Sequence, residues 1–337
     1  MITSVEVNNW RGFSHATLDG LTGLTVLAGA NGCGKSSLLE AILIAGGRSP
    51  ADAVGRAVLR RADGWNASRW LFREQTEEGL SATINVGTSQ GPRGVRLTWF
   101  GGLHELHMQW PHQEPPSAVR TEGLAPDSFV ASTAFSADNQ YRGRHQGGLN
   151  MGLQIRFVDP VNRTREALHR VVSRAIDSDR MDLVEGMLDR LTNGDLTSVR
   201  IATEEEVPVV RVRQGGRSIP AAVAGDGVVS LIRVACELAA PKGTVVLLEE
   251  PEVNMHGNAL WELSQAITQT VGAGVQVILT THSDTLLDFL YRHEQIRTSF
   301  TIFSMSRLAD GTLNAVKGQA DDVPRVTELA MRAMLSE

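Results

Sequence analysis

The stretch LTVLAGANGCGKSSLLEAILIAGG, residues 24–47, constrains the fold more than any other part of the chain. Leu24–Ala28 is an apolar run of strand length, glycines 29, 32 and 34 break it, and Leu38, Leu39, Ile42 and Leu43 then recur at helical spacing until Gly46 and Gly47. A strand, a glycine loop and a helix in that order predict an α/β sheet with the loop at a strand's carboxyl end. Gly29, Gly34, Lys35 and Ser36 fit the spacing G-x-x-x-x-G-K-[ST] of a phosphate-cradling loop. Glycines let the backbone N–H groups of residues 32–37 close around a phosphate, which makes Asn31, Gly32, Cys33, Gly34, Lys35, Ser36 and Ser37 the candidate nucleotide contacts. Only three of the 32 basic residues are lysines, and one of them is Lys35. A compact ammonium can follow the β- and γ-phosphates, whereas the planar guanidinium of arginine has the wrong shape. Ser36 supplies a hydroxyl to Mg2+, which needs only one or two protein oxygens besides the phosphates.

TVVLLEEP, residues 244–251, reads as a central strand buried on both faces that ends in clustered acids, with Glu252 following. Adjacent carboxylates at a buried strand end repel one another and resist desolvation, so a divalent cation is expected there. Glu249 is the candidate metal ligand, and Glu250 the residue that orients or deprotonates the attacking water. A further strand, GVQVILTTHS, carries His282 at its carboxyl end, within reach of a γ-phosphate.

With these pieces in place the chain resembles the ABC-type ATPase heads of the OLD, RecF and SMC group. GANGCGKSSLLEAI looks like Walker A, LLEEPEVNMH like Walker B and the D-loop, and VILTTHSDTLL like the H-loop; the likeness to OLD-like heads is strongest. The resemblance implies an α/β P-loop NTPase: a head with a mostly parallel core sheet, an antiparallel β lobe and an inserted helical lobe. It implies that ATP and Mg2+ are bound, and that NNWRGF brings Arg11 near the nucleotide. It further implies that two heads sandwich two ATP molecules as a homodimer or larger homo-oligomer, each site completed by the partner's signature motif. The candidate signature is VAGDGVVSLIRVACELA, with Gly225, Asp226 and Gly227 approaching the partner's nucleotide. Ala224 stands where a serine would contact the γ-phosphate, so slow hydrolysis is expected. Gln140, after the strand SFVAST, is the candidate sensor of the metal and γ-phosphate, with an ordinary surface loop as the equal alternative.

The whole chain is expected to form one head, with residues 1–75 and 220–337 as the nucleotide-binding core and 76–219 as inserted β-rich and helical lobes. Residues 80–110 alternate as short strands, and 160–192 read as two helices. No heptads persist over several turns, so long coiled-coil arms are not expected. The net charge of -6 offers no global attraction to nucleic acid or anionic membranes. Arg163, Arg170 and Arg174, or the cluster YRGRHQ, could meet DNA locally; a solvated face is the alternative. His104, His107 and His112 give no coherent ligand geometry. Two cysteines, no signal-like segment and no long apolar run are expected of a cytoplasmic protein without membrane contact. About 45 residues follow the His282 strand and read as two strands and a helix, without the Toprim nuclease domain that OLD nucleases carry. Three functions compete: an ATPase subunit that controls a separate effector in anti-phage defence, a RecF-like ATP-gated DNA clamp, and a transporter's nucleotide-binding subunit.

Overall fold

The computed structural model describes residues 1–48, 53, 54, 57, 70–74, 80–100, 105–109, 130–135, 141–143, 152–159, 167–253, 255 and 257–319. From the amino terminus run β1 (Ile2–Trp10), β2 (Phe13–Asp19), β3 (Leu24–Gly29) and α1 (Lys35–Gly46). The strands β4 (Leu80–Thr88), β5 (Gly91–Phe100), β6 (Glu105–Gln109), β7 (Val130–Phe135), β8 (Tyr141–Gly143) and β9 (Ile155–Val158) follow. Next come α2 (Leu168–Asp177), α3 (Met181–Leu191), β10 (Leu196–Glu204), β11 (Val207–Gln214) and β12 (Arg217–Pro220). A helical turn at Ala221–Ala224 leads into α4 (Asp226–Leu238). The last described elements are β13 (Val245–Glu249), α5 (Asn258–Gly272), β14 (Gln276–Thr281), α6 (Asp284–Tyr291), β15 (Phe300–Arg307) and β16 (Leu313–Gln319).

Three sheets organise these strands. The central one has the order β16-β15-β3-β14-β13-β9, and its pairs are parallel apart from β15 with β16. β3, β13 and β14 are buried at every position, as expected of parallel strands covered on both faces. The second sheet, β2-β1-β4-β5-β6-β7-β8, is antiparallel. Its leading strands alternate: Val5 and Val7 of β1, and Ala82, Ile84 and Val86 of β4, turn inward between more exposed neighbours. Helix α1 lies between the two sheets, which is why its apolar residues run almost all the way round: Leu38, Leu39, Ile42 and Ile44 are fully buried. Each such side chain contributes about 1.5–3 kcal/mol of burial free energy, so the phosphate loop is anchored at its helical end by the densest part of the core. A second core covers the opposite face of the central sheet and joins α2, α3, α4, α5 and α6 to the small sheet β10-β11-β12.

Two details differ from the sequence reading. The Asn and Gly residues of NNWRGF predict a turn over the whole segment, but β1 continues through Trp10 and β2 starts at Phe13, so the turn contracts to Arg11 and Gly12. Trp10 and Phe13 face each other across it, fully buried, and burying that aromatic pair favours continued pairing over a loose loop. The sheets also cross the expected domain boundaries. β1 and β2 pair into the antiparallel sheet with β4, and β9, from the middle of the expected insertion, pairs in parallel with β13. The expected helices appear as α2 and α3, while the closing helix expected after residue 320 lies outside the described residues.

Candidate functional site

The parallel register brings the chemistry-bearing residues into one row. Ala28 of β3 lies beside Thr281 of β14, Thr280 lies beside Glu249 of β13, and Leu248 lies beside Val158 of β9. The phosphate loop, the Thr280–Thr281 pair, Glu249 and Asp159 therefore stand side by side at the carboxyl ends of four adjacent strands. This is the edge at which open α/β sheets bind ligands.

The loop's glycines have identifiable reasons. Gly29 has φ 151° and a Cβ there would lie 2.3 Å from the Met305 carbonyl oxygen on neighbouring β15. Gly34 has φ 105°, and its Cβ would lie 2.1 Å from Cζ of Phe13. Gly32, also at positive φ, faces open space, which leaves its backbone approachable by a ligand. Lys35 is 5% exposed, and its ammonium donates to the carbonyls of Gly29 at 2.7 Å and Ala30 at 2.9 Å, holding the charge across the loop. Ser36 is partly exposed in the first turn of α1, while Ser37 is buried and its carbonyl accepts the Trp10 indole N–H at 2.8 Å. Cys33 is buried in the loop, and burial pushes its thiol pKa up, so it stays a neutral packing residue.

The acids are held by the neighbouring strand. Glu249 is 8% exposed and ends β13. Glu250 has φ 44°, unusual for a side-chain-bearing residue. Pro251 disfavours the right-handed helical region for the residue before it, and the Glu250 N–H is fixed by the carbonyl (3.0 Å) and hydroxyl (3.2 Å) of Thr280. The Glu250 side chain is 31% exposed, with Oε1 3.4 Å from Nδ1 of His282, which is itself 48% exposed. These two stand at the open side of the row. The donors expected of a Mg–nucleotide site are all hard oxygens or cations: the Ser36 hydroxyl, the Glu249 carboxylate and Lys35. That set fits the group the fold implies.

Several candidates fare differently. Arg11, expected near the nucleotide, packs against α1. Its side chain is 8% exposed, its NH2 lies 2.9 Å from Glu40 of α1, and it donates to the Ala57 carbonyl at 2.8 Å. It braces the back of the helix, because the contracted turn aims it at α1. Gln140, Arg163, His104 and His112 lie outside the described residues. Arg174 is corrected as a cation available to DNA: it pairs with Glu237 of α4. The segment expected to be the signature is a glycine turn before a helix. Gly225 has φ 107°, added Cβ atoms at Gly225 or Gly227 would meet nothing within 4 Å, and Val223 is 73% exposed. Asp226 opens α4. This end of the helix thus presents bare backbone. Two of the buried acids without a role from sequence stand at this strand edge. Asp159, 3% exposed, follows β9 in the row beside Glu249; only the placement of β9 next to β13 could have marked it. Glu252, 7% exposed, accepts from the Thr281 hydroxyl at 2.5 Å and from the His282 N–H at 3.3 Å. Burial raises its pKa above the usual glutamate value, with these hydrogen bonds opposing the shift.

Known proteins match this arrangement in pieces that together take in both ends of the site. The family described as "AAA domain, putative AbiEii toxin, Type IV TA system" matches residues 124–288, and a second AAA-domain family matches residues 4–77. An SMC head bound to the C-terminal winged-helix domain of ScpA superposes with a TM-score of 0.56 at 14% identity, covering 95% of this chain and 99% of that one. A second, the Smc head with an extended coiled coil bound to the C-terminal domain of ScpA, derived from Pyrococcus furiosus, gives 0.52 at 12% identity, covering 97% and 98%. The chain has the fold of an ABC-type ATPase head of the SMC, RecF and OLD group. In sequence, an ATP/GTP phosphatase from Helicobacter pylori is 43% identical over 49 residues, 14% of this chain. The match spans only 13% of that relative's length. Within this ABC-type head, no described helix is long and apolar enough to cross a membrane.

Proposed function

We propose that this head binds Mg–ATP and hydrolyses it slowly, and that its ATP-bound assembly controls a separate effector protein in anti-phage defence. The observation that carries the ATPase reading is the single row formed by the phosphate loop, Glu249, Glu250 and His282. Backbone N–H groups of residues 32–37 and Lys35 hold the phosphates. Ser36 and Glu249 would hold Mg2+, which would supply neutralisation of charge on the transferring phosphoryl group. Glu250 orients the attacking water and accepts its proton, and His282 faces the γ-phosphate. Hydrolysis is completed by a second copy, whose Gly225–Gly227 turn, with Asp226, approaches the nucleotide; Ala224 in place of a hydroxyl makes this activation weak. The defence reading draws on the matching family's description as a toxin–antitoxin domain.

A DNA clamp is the second reading, favoured by one feature of the small sheet. Arg200 of β10 lies directly opposite Arg211 of β11, with Arg213 on the same outward face; Glu204 already pairs with Arg211, so Arg200 and Arg213 are the cations this face would offer a phosphate backbone. One experiment separates the readings: native mass spectrometry of Glu250→Gln protein purified from its host with Mg–ATP, alongside hydrolysis assays. Lys35→Ala is expected to lose ATP binding, and Glu250→Gln to bind ATP while turning it over far more slowly. Equal turnover in Glu250→Gln and wild type removes the assignment of the water-orienting acid. A defined second protein supports effector control, and a homodimer carrying only DNA supports the clamp.

A further inference from the structure

Glu252 belongs to none of the steps above, yet its carboxylate is tied into the site by several contacts. Its carboxylate is 7% exposed and lies where the chain leaves β13, three residues beyond Glu249. Oε1 gathers three groups from the end of β14: the Thr281 hydroxyl at 2.5 Å, the His282 backbone N–H at 3.3 Å and, at 3.8 Å, Nδ1 of the His282 ring. The Thr281 hydroxyl also accepts from the Ser283 N–H at 2.9 Å, and Ser283 caps α6 by accepting from the Leu286 N–H at 3.2 Å. The chain of contacts therefore runs from the acidic turn through Thr281 into the loop and helix that carry His282. Glu250 Oε1 lies nearer that ring nitrogen, at 3.4 Å, so Glu252 acts on His282 through its hydrogen bonds to the backbone N–H and to Thr281; with both carboxylates on the Nδ1 side, Nε2 is the nitrogen left for a ligand.

We propose that Glu252 is a positioning residue for ATP hydrolysis: its buried carboxylate fixes the Thr281–His282 backbone and so holds the His282 ring at the γ-phosphate. The proposal rests on the ATPase reading. The contact that matters is the accepting oxygen, which a glutamine retains and an alanine does not.

Three variants of the full chain, Glu252→Ala, Glu252→Gln and Thr281→Val, test it by two independent readouts. The first pairs steady-state hydrolysis with the binding of a fluorescent ATP analogue. The second is the ring resonances of His282, picked out among the nine histidines by comparison with His282→Gln. Glu252→Ala is expected to lower kcat about tenfold or more, to leave analogue affinity within about twofold, and to shift the His282 resonances. Glu252→Gln is expected to restore both the rate and the resonances. Thr281→Val, which keeps the side-chain shape and deletes the donor, is expected to move both readouts as alanine does; it carries the test if Glu252→Ala does not fold. Wild-type turnover in Glu252→Ala or Thr281→Val overturns the proposal, as does a glutamine variant as slow as alanine. Wild-type protein that hydrolyses no ATP refutes the ATPase reading instead. Unshifted His282 resonances in Glu252→Ala would then refute the positioning role separately.

Discussion

At the scale of single residues, the acidic turn after β13 shows how one neighbouring strand can hold several charges in place. Thr280 fixes the backbone of Glu250 in its left-handed conformation, a geometry that costs roughly 1–2 kcal/mol for a residue with a Cβ, and Thr281 fixes the side chain of Glu252. Glu252 also makes stability depend on pH. Its folded pKa lies above the unfolded value of 4.5, so the folded state binds the extra proton. Its contribution is complete below the unfolded pKa and is lost as pH rises through the folded one. Glu252→Gln removes that dependence. Its melting temperature relative to wild type is therefore expected to rise as the pH is raised from about 4.5, the reference value for glutamate, towards neutrality, which a series of thermal melts across that range will check. The acids were legible as a cluster in the sequence; which of them faces solvent and which is locked inward depends on a strand 30 residues away.

At the scale of elements, α4 is the piece that ties the halves of the molecule together. Its Glu237, 3% exposed, pairs with Arg156 of β9 at 3.3 Å and with Arg174 of α2. Arg156 also donates to the Cys236 carbonyl at 3.2 Å. Burial holds the Arg156 pKa below its ordinary value despite the adjacent carboxylate, and pushes the neighbouring Cys236 thiol up to about 12. One carboxylate thus joins the signature helix, the helical lobe and the strand beside β13. Glu237→Ala leaves Arg156 buried without this counter-charge and is expected to cost about 3–5 kcal/mol of unfolding free energy, measured by denaturant titration. The helical periodicity of α2 and α4 was plain in the sequence. Their joining was not, because the pairing of Arg174 with Glu237 spans 63 positions and neither residue stands out in its own helix.

At the scale of the whole molecule, α1 is clamped between two sheets while the glycine turn before α4 is bare; on the proposed reading the first seats the nucleotide and the second is offered to another copy. Mg–ATP at a hundred times its dissociation constant is expected to stabilise the folded chain by about 2.7 kcal/mol, seen as a raised melting temperature in wild type and Glu250→Gln and as no shift in Lys35→Ala. Glu250→Gln with Mg–ATP is expected to elute from gel filtration at twice the monomer mass, and to return to one when the nucleotide is removed.

The sequence by itself determined the phosphate loop, the strand-end acids, the histidine strand and the glycine turn, because each is a local pattern whose chemistry is set by residues a few positions apart. Only the tertiary structure decided which strands are neighbours. That placed β9 and Asp159 beside Glu249, turned Arg11 to a brace on Glu40, and made Glu252 the partner of Thr281 and His282. The physical reason is common to all three: a buried charge is settled by whichever distant group the packing brings within hydrogen-bond reach.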